Sequence, residues 1–115
     1  MAVYVSGKEL FEEIVKSKER GELTPRSIFL LQKMIKEISK IFTYSREEDK
    51  EDCMAFAMFD VLLYWNRFNP EKSTNAFAFF TQTIKNGTYK GWRRLYKEKS
   101  SKFISTSQDN GVYNI

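Results

Sequence analysis

Apolar positions recur at three- and four-residue spacing through the first half of the chain. In "SGKELFEEIVKSKERG", Leu10, Phe11, Ile14 and Val15 make one stripe, the mark of a helix that buries one face. Ser6 followed three residues later by Glu9 predicts a capping box, and Gly21 a C-terminal stop. In "LTPRSIFLLQKMIKEISKIFTYS", Ile28, Leu31, Ile35, Ile38 and Phe42 repeat in the same way, behind Thr24 as N-cap and Pro25 at the first helical position. A third helix is expected after "SREED", with Ser45 and Glu48 as a second capping box. It should run to about Phe68 and stop before Pro70. A fourth is expected to start at Ser73 to Asn75. No strand alternation or repeat is visible. The pattern predicts an all-α fold: a compact four-helix domain over residues 1–104 and a flexible polar tail, "STSQDNGVYNI", over 105–115.

The third helix breaks the amphipathic rule. "CMAFAMFDVLLYW", Cys53 to Trp65, has one polar residue, Asp60. Met54, Ala57, Val61, Tyr64, Trp65 and Phe68 recur at helical spacing and should face the core. That leaves Ala55, Phe56, Phe59, Leu62 and Leu63 on other sides. Either this is a central helix covered all round, or it carries an apolar docking face rimmed by Glu51 and Asp52.

"FNPEKSTNAFAFFTQ" leads into the fourth helix with three phenylalanines close together. Phe77, Phe80, Ile84, Gly87, Gly91 and Leu95 share one side, expected to pack on another helix, the glycines permitting close approach. Phe79, Gln82, Asn86, Tyr89 and Arg93 share another, flanked by Lys90, Arg94 and Lys97. Such groups stack bases, read base edges and hold phosphates. Two glycines within one helix cost about 1 kcal/mol each relative to alanine, so an interruption near Gly87 and Gly91 stays open.

Composition narrows the chemistry. The 115 residues suit one small domain. There is no histidine and only one cysteine, Cys53. This argues against a zinc site and against Ser-His or Cys-His catalysis. No Gly-rich phosphate loop occurs, and the expectation is a binding protein rather than an enzyme, without a cofactor. Cys53 reads as a small core residue in a reducing, intracellular compartment. No apolar run approaches a membrane span, and Met1 to Lys8 lacks the apolar core of a signal peptide. Net charge is +4, unevenly spread: Lys85 to Lys102 holds seven Lys or Arg and one acid, whereas Arg46 to Asp52 holds five acids. A basic end points to an anionic partner, most often nucleic acid, or is simply a solvated helix face.

These stretches resemble the late-transcription sigma factors of T-even-type phages, reduced relatives of region 2 of bacterial sigma factors. "FNPEKSTNAFAFFTQ", "KELFEEIV" and "IFLLQKMIKEISKIFTYS" carry the resemblance, which covers roughly Gly7 to Lys99. It implies a sigma region 2-like domain that binds host RNA polymerase core and directs it to a minus-ten-like promoter element, in the cytoplasm of an infected bacterium. Asp52 to Phe68 would be the helix that docks on the clamp helices of the largest catalytic subunit, through Asp52, Ala55, Phe56, Phe59, Leu62 and Leu63. Phe79 matches an aromatic position that captures a flipped base. Asn86 and Tyr89 match positions that contact the upstream base pair. Gln82, Thr83, Lys90, Arg93, Arg94 and Lys97 complete the expected DNA face. Ala55-Phe56 stands where primary sigma factors carry a polar Gln-Glu pair. Gln82-Thr83 stands where they carry a Trp pair, which the late phage factors also lack. The family's further partners are a late co-activator and the phage sliding clamp, reached through a hydrophobic C-terminal motif. Val112, Tyr113 and Ile115 would be the counterpart here, although "GVYNI" lacks that motif's acidic, leucine-rich character. Two other readings remain: an adaptor or anti-sigma-like protein that occupies the clamp without melting DNA, and a general basic helical DNA-binding protein.

Overall fold

The structure, a computed structural model, describes residues 5–103, with side chains described through Lys97. Four α-helices occur among the described residues: α1 Gly7–Arg20, α2 Pro25–Ser39, α3 Glu47–Tyr64 and α4 Ala76–Phe103, with a short 3-10 turn, Trp65–Arg67, after α3. The fold is all-α. The tail expected over residues 105–115 lies outside the described residues.

Local chemistry sets the first two helices. Ser6 Oγ accepts the backbone N–H of Glu9 at 3.3 Å. Gly21 ends α1 with φ 85°, and its N–H donates to the Ser17 carbonyl, a left-handed stop that costs a glycine nothing. Thr24 Oγ1 accepts the N–H of Ser27 at 3.0 Å, and Pro25 opens α2. Only the Ser6 half of the expected capping box forms, since the Glu9 carboxylate pairs with Arg26 at 2.7 Å instead, and the second box does not form. Arg46, not Ser45, is the N-cap of α3, without a side-chain cap bond. Its place in the first turn is taken by the acids Glu47, Glu48 and Asp49, which favour the positive end of the helix dipole. Regular α-helix ends at Tyr64, earlier than the expected Phe68, and the chain tightens through the 3-10 turn before Pro70.

The core is one cluster. Leu10 and Ile14 of α1 and Leu30, Leu31, Met34 and Ile35 of α2 meet Ala57 and Val61 of α3 and Phe80 and Ile84 of α4, with Trp65 and Phe68 closing one end. The expected α3 core stripe is buried at Ala57, Val61, Trp65 and Phe68, while Met54 and Tyr64 are only half-buried. Phe80 is fully buried, but Phe77, expected beside it, is 43% exposed. Position 77 lies in the first turn of α4, beside Gly7 at the start of α1.

The most extensive helix pair is α3 with α4. α4 runs unbroken through both glycines. A Cβ at Gly87 would lie 2.8 Å from Ala57 Cα and 3.1 Å from the Phe56 carbonyl oxygen; one at Gly91 would lie 2.9 Å from the Phe56 ring. Gly87 is therefore a contact point between two backbones and Gly91 the seat of the Phe56 side chain, and the packing they allow offsets their low helix propensity.

Candidate functional site

The two faces proposed by the sequence lie on the paired helices α3 and α4. On α3, Asp52, Ala55, Phe59, Leu62 and Leu63 are exposed, with Phe59, Leu62 and Leu63 at 59%, 52% and 53%. Their neighbours at positions 53, 57, 60 and 61 are buried. The helix is thus apolar on both sides and covered on one. Two to three turns before the apolar trio, past Ala55, the same helix carries the exposed acids Glu48, Glu51 and Asp52. Phe56 differs from the rest of its group: it is half-buried, its ring seated on the bare backbone of Gly91.

On α4, Gln82, Asn86 and Arg94 are exposed, and Gln82 Nε2 donates to Asn86 Oδ1 at 2.9 Å, so the two amides hold each other in place. Thr83 is half-buried, with its hydroxyl on the Phe79 carbonyl at 3.0 Å. Tyr89 is half-buried among Phe42 at 6.3 Å and Trp92 at 6.4 Å, with the Arg93 guanidinium 5.8 Å from its ring centre. Two of the expected phosphate-binding cations lie elsewhere. Lys90 is ion-paired at 2.8 Å to the buried carboxylate of Asp60 on α3. Lys97 is buried, and burial together with the nearby Arg93 lowers its pKa. A buried carboxylate draws a cation to it because its desolvation is otherwise uncompensated. The exposed basic residues without an ion pair on this part of α4 are Lys85 and Arg94, with Arg93 half-exposed; Lys90 is exposed too, but its ammonium is held by Asp60.

Phe79 is neither wholly outward nor core. It is half-buried and packs at 5.4 Å on Phe68 and 5.0 Å on Phe80. With Phe68 it forms the aromatic wall of a 480 Å³ surface pocket between the 3-10 turn and the start of α4. Arg67, Asn69, Lys72, Ser73 and Asn75 supply the pocket's polar rim. Sequence reasoning passed over these five, although the signal was present: a run of polar residues between two phenylalanines.

It also passed over the stitching of the α2–α3 connection to α4. Trp92 Nε1 donates to the Thr43 carbonyl at 2.9 Å. The Tyr96 hydroxyl accepts the Ser45 N–H at 2.8 Å and donates to Asp49 Oδ2 at 2.7 Å. Arg46 reaches the other oxygen of Asp49 at 3.2 Å, and that bond raises the Arg46 pKa. Tyr89, Trp92 and Tyr96 recur at helical spacing, which is the trace of this contact in the sequence. It holds the acidic start of α3 beside the basic half of α4.

Val112, Tyr113 and Ile115 lie outside the described residues. Among the described residues, no group of His, Cys, Asp and Glu side chains is arranged to hold a metal, and no helix is long and apolar enough to cross a membrane. Comparison of the chain with protein-family models, with curated proteins and with solved structures finds no match in any of the three.

Proposed function

We propose that this chain is a small sigma-type factor of the late phage kind. It docks on RNA polymerase core through the outer face of α3 and offers α4 to a minus-ten-like promoter element. The observation that carries this reading is the exposure of Phe59, Leu62 and Leu63 on a helix whose opposite face is the core. A contiguous apolar surface on a small domain exposes area that a partner can cover. The acids nearer the start of α3 suit a partner helix with basic groups at that point.

The α4 side fits the second task. Gln82 and Asn86 are exposed amides suited to base edges, and Arg93 and Arg94 are near enough to reach phosphates. The pocket beside Phe79 suits a base taken out of the stack, since unstacking costs a few kcal/mol that an aromatic wall and polymerase contacts must offset. The chemistry of RNA synthesis stays with the polymerase. The sliding clamp and a late co-activator are the further partners this reading implies. Commitment of Lys90 and Lys97 to the domain itself weighs against a generic basic DNA-binding protein. An adaptor that occupies the polymerase without opening DNA would use the same α3 face, and the half-buried state of Phe79 is the observation in its favour.

Run-off transcription with bacterial core polymerase and phage late-promoter templates tests the proposal. A sigma factor yields a promoter-dependent transcript, whereas an adaptor binds core and yields none.

A further inference from the structure

Two helices present outward residues at the same spacing in opposite order. On α2 and the residue that caps it, Arg26, Phe29, Lys33, Lys36 and Lys40 recur at intervals of three, four, three and four residues. On α3, read backwards, Leu62, Phe59, Ala55, Asp52 and Glu48 recur at the same intervals. Lys33 is half-buried beside Phe29, and the rest are exposed. Three-four spacing gathers each set on one strip of its helix and is the spacing of a seam between two paired helices. Laid antiparallel, the strips match layer by layer: Phe29 meets Phe59, Lys36 meets Asp52 and Lys40 meets Glu48. The apolar stems of Arg26 and Lys33 lie over Leu62 and Ala55. Phe29 to Lys40 and Phe59 to Glu48 each span eleven residues, roughly 16 Å of helix. The α2 strip holds no acid and the α3 strip no cation. Arg26, Lys40 and Glu48 have surface partners in their own chain, in Glu9, Glu37 and Arg46. Lys36 and Asp52 form no ion pair among the described residues.

Both strips point away from the core that α2 and α3 share, so one chain cannot bring its own two strips together. We infer that a second copy of this chain is a partner of the α3 face: the α2 strip of one copy pairs antiparallel with the α3 strip of another. The contact uses the face proposed above for polymerase but needs no polymerase to form. It joins two different patches, so it leaves one α2 strip and one α3 strip open to further copies. A single helix pair with a half-polar seam buries little area, so association is weak and grows with concentration. Phe59 and Leu62 are covered in the associated form, and polymerase would compete with the second copy for them.

Sedimentation velocity of the full chain, from micromolar to millimolar and without polymerase or DNA, tests this. The weight-average mass of the parent should rise with concentration. Lys36→Glu and Asp52→Lys each bring like charges together and should each raise the dissociation constant roughly tenfold or more. Both positions are exposed, so circular dichroism should match the parent. An equimolar mixture of the two variants should associate again, because each strip then finds an oppositely charged strip on the other variant. A parent that stays monomeric throughout overturns the inference, as does a mixture that fails to recover. Association untouched by Lys36→Glu also overturns it, and loss in Leu62→Arg would then assign the contact to two α3 faces. Lys36 lies off the face proposed for polymerase, so Lys36→Glu should bind core as the parent does. Core binding without self-association rejects this inference alone and leaves the proposed function standing.

Discussion

α2 and α3 are neighbours of similar length, and each buries one side in the same core. Their other sides differ. The free side of α2 is polar, with Arg26, Gln32, Lys36 and Glu37 exposed. Its one exposed aromatic, Phe29, has the Arg26 guanidinium 5.2 Å and the Lys33 ammonium 4.7 Å from its ring centre. The free side of α3 presents Phe59, Leu62 and Leu63. The fold needs apolar residues on one face of each helix only. What α3 carries beyond that need is the surface that the proposed docking would cover.

Substitutions sharpen the contrast. Leu31 on α2 is fully buried and Leu62 on α3 is mostly exposed. Leu31→Ala should cost roughly 2–5 kcal/mol of folding stability, whereas Leu62→Ala should stay within about 0.5 kcal/mol. Phe80→Ala belongs with Leu31, at roughly 3–5 kcal/mol. Phe79→Ala should fall between the two, since half its ring already packs on Phe68 and Phe80. Urea unfolding of the four variants measures this, and equal losses for Leu31→Ala and Leu62→Ala would erase the distinction between the helices.

Gly87→Ala probes the covered side of α3. The added methyl meets the Ala57 backbone, which cannot swing aside as a side-chain tip can. The overpacking penalty of roughly 1–3 kcal/mol should exceed the gain of about 1 kcal/mol in helix propensity. A variant more stable than the parent in the same urea assay would contradict the close α3–α4 contact.

Lys90→Ala should cost roughly 1–3 kcal/mol, because it strands the buried Asp60 carboxylate. Asp60→Asn in the Lys90→Ala background should recover part of the loss. If Lys90→Ala leaves stability untouched but weakens DNA binding, Lys90 serves the nucleic acid after all.

A further effect is at alkaline pH. Burial pushes the Cys53 thiol up to about 11 and the Tyr44 phenol up to about 12. Each holds its proton more tightly folded than unfolded. Its contribution is whole below the ordinary values of 9.0 and 10.0 and is lost as pH rises through the raised ones. The urea midpoint should therefore fall between pH 9 and pH 12 in the parent, and fall less in Cys53→Ala. The same burial predicts that Cys53 resists thiol alkylation at pH 8 until urea unfolds the chain. Glu9 acts at the other end of the scale: the Arg26 bond lowers its pKa, so that contribution is lost as pH falls.

Much of this was legible because it is local. Ser6, Thr24-Pro25 and Gly21 mark helix ends within a few residues of the groups they satisfy, and the stripes of α1 and α2 report one buried face each. α3 was ambiguous for a physical reason. Periodicity tells apolar from polar sides, and on a helix apolar all round it cannot tell a covered side from a bare one. Contacts distant in the chain left little trace. Lys90 reads as a DNA-facing cation until Asp60, thirty residues earlier, is found beneath it. Phe79 reads as outward until Phe68 is seen against it. Phe56, grouped with the docking residues, turns out to rest on Gly91. That makes it a poor probe of docking, since changing it disturbs the α3–α4 contact as well.

Phe59 and Leu62 are the cleaner probes of the bare face. In a pull-down titration against bacterial RNA polymerase core, Phe59→Arg and Leu62→Arg should each weaken binding by about tenfold or more, on the order of 1.4 kcal/mol. Circular dichroism and thermal midpoint should match the parent. If both variants remain folded and bind core as the parent does, or if the parent does not bind core at all, the outer face of α3 is not a polymerase-docking surface.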